Sequence, residues 1–118
     1  MKRGRSTGKP NAAQVKRFDA IRDAGCLVAQ ILAIGWLPAE IHHMTTGGKH
    51  GQKRLGHDAS IGLNCWSHRG VPLDGWTAER CRDDLGPSYA REPRLFRELF
   101  GSDAELLARQ NAILDGNP

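Results

Sequence analysis

Residues 40–70 read EIHHMTTGGKHGQKRLGHDASIGLNCWSHRG, and the fold turns on this stretch. Pro38 restricts the residue before it to extended geometry, and Glu40–Met44 then predicts a short strand. Residues 45–56, TTGGKHGQKRLG, carry four glycines and three basic residues and predict a loop. Ser60–Leu63 predicts a second short strand. Asn64–Arg69 predicts a helical turn or two, closed by Gly70 and Pro72. The order is strand, glycine-rich loop, strand, short helix.

All five histidines (His42, His43, His50, His57, His68) fall within 27 residues of this region. A single histidine is commonly structural; a cluster asks for chemistry. On a paired strand His42 and His43 point to opposite sides, so only at a strand end or bulge can both reach one site. The chemistry that suits the set is metal-assisted phosphodiester hydrolysis. A divalent cation needs convergent ligands and an open position. A neutral imidazole beside it can take a proton from the attacking water. Lys49, Lys53 and Arg54 in the glycine-rich loop supply positive charge for phosphate.

Toward the N-terminus, residues 1–10 (MKRGRSTGKP) predict a disordered basic arm. Lys2, Arg3, Arg5 and Lys9 there are candidate DNA contacts; a solvated tail is the plainer alternative. Asn11 with Gln14 has capping-box spacing and opens a helix that Gly25 ends, with Val15, Phe18 and Ile21 as its apolar stripe. Cys26–Trp36 is mostly apolar, and its periodicity does not separate a buried helix from strands. Toward the C-terminus three helices are predicted. Trp76–Leu85 stops at Gly86-Pro87. Pro93–Phe100 carries the i,i+4 pairs Leu95/Leu99 and Phe96/Phe100. Ser102–Leu114 opens on a Ser102/Glu105 capping box, with Leu107, Ile113 and Leu114 on its apolar side. Trp36, Trp66 and Trp76 are expected in the core.

Composition bounds the rest. The chain has 118 residues, enough for one domain over 11–118 with its site in 37–70 and bracing helices in 76–114. The formal charge is +4, and the basic excess sits in the first seventeen residues, which contain no acid. No apolar run is long enough for a membrane span, and three cysteines at irregular spacing argue against a disulfide scaffold. A cytoplasmic location is the expectation.

EIHHMTTGG, then RLGHDASIGLNCWSHRGVP, then GPSYAREPRLFRELFGSDAELLARQNAIL resembles the phage Ref family of HNH endonucleases, over about Gly25 to Leu114. The resemblance implies an α+β fold: a small ββα-metal (HNH-type) core braced by flanking helices. It implies a nuclease of recombination acting on DNA that carries a RecA filament, within a bacterial host's cytoplasm if phage-encoded. By the same resemblance His42 and His68 are metal ligands and His43 is the general base. His57 is a third ligand or phosphate contact, with Asn64 as its rival, since Asn64 and His68 stand at i,i+4. Arg69 joins the DNA contacts; His50 is a DNA contact or has no role. The implied cofactor is a divalent ion, Mg²⁺ or Mn²⁺, with Zn²⁺ possible in the same site.

One departure matters. Ref-like proteins carry a structural zinc on a Cys-x-x-Cys and a Cys-x-x-His. Here Cys26 keeps the first position, but Ala29, Asn64 and Ser67 hold the other three, and Cys65 is one residue out of step. No structural zinc is expected, and ordinary packing must take its place. Two other readings stand beside the nuclease. One is a catalytically degenerate DNA-binding module that kept the metal fold. The other is a structural zinc protein, disfavoured because its cysteine ligands are missing.

Overall fold

The computed structural model describes residues 8–44 and 56–116. The expected α+β class is present: six helices and a two-stranded antiparallel sheet among the described residues. The hairpin pairs β1 (Glu40–His43) with β2 (Ser60–Leu63) in the register Glu40↔Leu63, Ile41↔Gly62, His42↔Ile61 and His43↔Ser60. Helix α3 (Cys65–Arg69) follows at once. Asn64 caps it, its side chain accepting from the Ser67 N–H, and Gly70 closes it in the left-handed region.

The two faces of the hairpin do different work. Strand alternation sends Glu40, His42, Ile61 and Leu63 to one side, and Ile41, His43, Ser60 and Gly62 to the other. On the first side Ile61 and Leu63 join the main core with Leu27, Val28, Phe96 and Leu106. On the second lies α1 (Ala12–Ala24), which opens on the Asn11/Gln14 capping box. Gly62 is required where α1 crosses: a Cβ there would lie 2.6 Å from Ile21 Cγ2. Arg17 ties this layer together. Its guanidinium donates to Ser60 O at 2.6 Å, Ser60 Oγ at 3.1 Å and Asn111 Oδ1 at 2.8 Å. It thus joins α1, β2 and α6 (Asp103–Leu114), which opens on the Ser102/Glu105 box.

The apolar run 26–36 resolves as a short helix, α2 (Leu27–Leu32), ended by Ala33 in the left-handed conformation. α4 (Ala78–Leu85) begins after a Thr77 cap, two residues later than expected from Trp76. With Trp66 and Leu73, its Cys81 and Leu85 form a second small core. α5 (Pro93–Phe100) starts on its proline as expected.

The packing corrects the expectations for Val15 and the tryptophans, and sorts the apolar positions of α5 and α6 into buried and outer ones. Val15 is exposed, because a three-residue step drifts around a 3.6-residue helix and only Phe18 and Ile21 stay on the buried side. In α5, Phe96 and Phe100 are buried while Leu95 and Leu99 face out. The fully buried positions of α6 are Leu106 and Gln110, because the Gln110 Oε1 accepts the Gly62 N–H at 2.8 Å; Leu107 and Ile113 pack at the rim. Of the tryptophans only Trp66 is buried. Trp76 is half-buried, with the Arg80 guanidinium 3.6 Å over its ring. Trp36 is 61 % exposed: it lies against Gly25, where a Cβ would come within 2.5 Å of its Nε1, and that N–H donates to Asp23 O.

Candidate active site

The described histidines form two pairs, divided by β1. His42 and His68 meet on the α3 side, ring centroids 5.0 Å apart. His43 and His57 meet on the α1 side, with His43 Nε2 and His57 Nδ1 3.0 Å apart. The alternation that aims His42 toward α3 aims His43 toward α1.

In the first pair His42 is 7 % exposed and its ring lies 4.7 Å from that of Tyr89. Burial, reinforced by His68, pushes its pKa down to about 4, so its imidazole is neutral at neutral pH. Its Nε2 is buried and has no hydrogen-bond partner among the described residues, a costly state in a protein interior. His68 is placed by α3, and its Nδ1 donates to Glu40 Oε1 at 2.9 Å, which leaves the Nε2 lone pair as donor to a metal. Glu40 is itself held by Arg69, whose Nε and Nη2 reach its two oxygens at 2.8 and 2.6 Å. Those bonds, with His68 adding to them, hold the Glu40 carboxyl below the usual carboxylate range.

An orphaned buried imidazole nitrogen beside an oriented second imidazole fits a divalent ion that keeps positions open for water and substrate. Among the described residues no three His, Cys, Asp or Glu side chains converge closely enough to hold a metal by themselves.

The second pair lies against Phe18, whose ring is edge-on to His43 at 5.9 Å and to His57 at 5.4 Å. His57 Nε2 lies 2.8 Å from the Gly8 carbonyl. A carbonyl only accepts, so this nitrogen carries the proton. In neutral His57 the Nδ1 then accepts, and His43 Nε2–H donates to it.

The other expected site residues divide as follows. Asn64 is near the first pair in sequence, but its amide is engaged inward. Its Nδ2 donates to Cys26 Sγ at 3.1 Å and Ser67 Oγ at 3.1 Å, and its oxygen accepts the Ser67 N–H. The Asn64 backbone N–H also donates to Cys26 Sγ at 3.2 Å. Cys26, Ala29, Asn64 and Ser67 are all buried. Arg69 is forked onto Glu40. Lys9 is exposed beside the Gly8 anchor. Lys2, Arg3, Arg5, Lys49, His50, Lys53 and Arg54 lie outside the described residues. The arm expected over 1–10 also lies mostly outside them, but its root does not, since Gly8 is bonded to His57.

Two participants were missed. Glu40 was legible: it stands two residues before His42, on the same strand face. Tyr89 was not, because the stretch between α4 and α5 reaches His42 only through tertiary packing.

No helix among the described residues is long and apolar enough to cross a membrane. A comparison with curated proteins gives no match. A family model described as recombination enhancement, RecA-dependent nuclease, matches residues 10–115. That span takes in the hairpin, both histidine pairs and the six described helices, and the chain accordingly belongs to the RecA-dependent nuclease family.

Proposed function

We propose that the protein is a metal-dependent HNH-type DNA endonuclease, one domain over 11–118 led by a basic arm, acting on recombination DNA coated by RecA. The observation that carries the reading is the buried Nε2 of His42, unpartnered among the described residues, beside a His68 oriented by Glu40. These two imidazoles would hold the ion, Mg²⁺ or Mn²⁺ in catalysis with Zn²⁺ as the imidazole-preferring competitor. When bound, the ion polarises the scissile phosphate and stabilises the leaving 3′ oxygen.

His43 acts as the base. It takes a proton from water on the α1 side of β1, while the ion's ligands stand on the α3 side. His43 is the last residue of β1, and at a strand end neighbours that leave on opposite faces can serve one phosphate, one from each side. The products carry 5′ phosphates. The basic arm and loop track the backbone through Lys2, Arg3, Arg5, Lys9, Lys49, Lys53 and Arg54, and their contacts make binding steeply salt-dependent. The hydrogen-bonded Cys26–Asn64–Ser67 cluster does by packing what a structural zinc does in relatives of the Ref type.

The test is cleavage of DNA by wild-type protein and His42→Ala, with Mn²⁺ or Mg²⁺ and with chelator. Cutting that needs metal and is lost in the variant supports the reading. Salt-sensitive DNA binding without cutting under any condition supports the degenerate binding module instead.

A further inference from the structure

His57 stands with its ring across from His43, and its two nitrogens make two different bonds. The ring is buried, 8 % exposed. Its backbone is fixed from within the hairpin: Ser60 Oγ donates to the His57 carbonyl at 2.7 Å, and Ser60 is the register partner of His43. Arg17 in turn clamps Ser60, and Phe18 walls both rings. One side of the His57 ring meets His43 Nε2 at 3.0 Å, and the other meets the Gly8 carbonyl at 2.8 Å. The Gly8–His57 bond thus stitches the chain across 49 residues, and His57 carries the tie on to His43.

We propose that His57 is a positioning residue for His43, holding it in the Nε2–H tautomer, and that it does so from an anchor on the Gly8 carbonyl. The proposal rests on the reading of His43 as the base. The chemistry follows from donor counting. The Gly8 carbonyl demands a proton on His57 Nε2, so His57 Nδ1 offers a lone pair, and His43 answers with its own Nε2–H. The basic lone pair of neutral His43 then sits on Nδ1, and the ring is fixed against rotation. An imidazole with a fixed tautomer presents one defined nitrogen to water; one that exchanges tautomers spends part of its time with the wrong nitrogen forward. The same bond makes the anchor of the N-terminal segment part of the catalytic frame.

Two substitutions separate the bonds. An asparagine amide falls where Nδ1 lies, so His57→Asn keeps an acceptor for His43 and gives up the Gly8 bond. A glutamine amide reaches to where Nε2 lies, so His57→Gln keeps a donor for Gly8 and gives up His43. The ¹⁵N shifts of the His43 ring report its tautomer in the full chain, and DNA cleavage kinetics report kcat and KM. Wild type and His57→Asn are expected to show the Nε2–H tautomer of His43. His57→Gln is expected to show a mixed tautomer, with kcat down about 10–100-fold, the size typical of lost orienting partners, and KM little changed. A His43 tautomer that is the same in His57→Gln as in wild type overturns the proposal. So does an equal loss of kcat in both variants with the tautomer unmoved. If His43→Ala cleaves as wild type does, the base assignment fails by itself, and the ¹⁵N shifts still decide whether His57 sets the His43 tautomer.

Discussion

His68 donates its Nδ1–H to Glu40 at 2.9 Å, across 28 residues of sequence, and Glu40 is gripped from its other side by Arg69. A carboxylate behind a ligating histidine fixes both its tautomer and its ring plane. Glu40→Ala is therefore expected to weaken divalent-metal affinity about 10–100-fold while the hairpin still forms. Titration calorimetry with Mn²⁺ checks this; unchanged affinity would detach Glu40 from the site.

His42 gives a prediction of opposite sign for stability and function. Its Nε2 is buried without a partner among the described residues, so replacing the ring by an apolar side chain removes an unsatisfied group. His42→Leu should leave metal-free stability within about 1 kcal/mol of wild type, or raise it. It should abolish the rise in Tm that saturating metal gives, which amounts to about 2.7 kcal/mol at a hundredfold excess over Kd. Thermal melts with and without Mn²⁺ measure both.

Much of this was legible in the sequence, and the failures have causes. Caps announced themselves: Asn11/Gln14, Ser102/Glu105 and Pro93 start helices where their side-chain chemistry says they should. The hairpin and its helix were readable because Pro38, the glycines of 45–56 and Gly70 bound short runs. The apolar run 26–36 was not, since a two-turn buried helix has too few residues to show a period. Pairing was the deeper limit. Alternation foretold that His42 and His43 diverge, but not that His57 would meet His43, or that Gly8 would complete the row. Those contacts depend on where α1 lies over the sheet.

Arg17 is one of the basic residues near the N-terminus, yet its guanidinium is spent inside the fold on Ser60 and Asn111. Arg17→Ala should cost about 1–3 kcal/mol, since it strands the Ser60 carbonyl under α1. Lysine should not restore the loss, because one ammonium cannot reproduce a forked guanidinium. Urea denaturation of the three proteins checks the ordering.

Asn64 tests the inward cluster against the metal site. Its amide caps α3 and bonds Cys26 and Ser67. Asn64→Ala should cost about 2–3 kcal/mol, from a lost cap and lost buried bonds. Metal affinity of the folded fraction should not change. A drop in affinity without a drop in stability would return Asn64 to the ligand set.

The central claim is that His43 activates water for phosphodiester hydrolysis. Cleavage by wild type and His43→Ala, on RecA-coated and bare DNA with Mn²⁺ or with chelator, tests it most directly. The account predicts metal-dependent cutting of RecA-coated DNA that falls at least about a hundredfold in the variant, the low end for loss of a general base, with metal binding retained. Cutting by His43→Ala at the wild-type rate would contradict it.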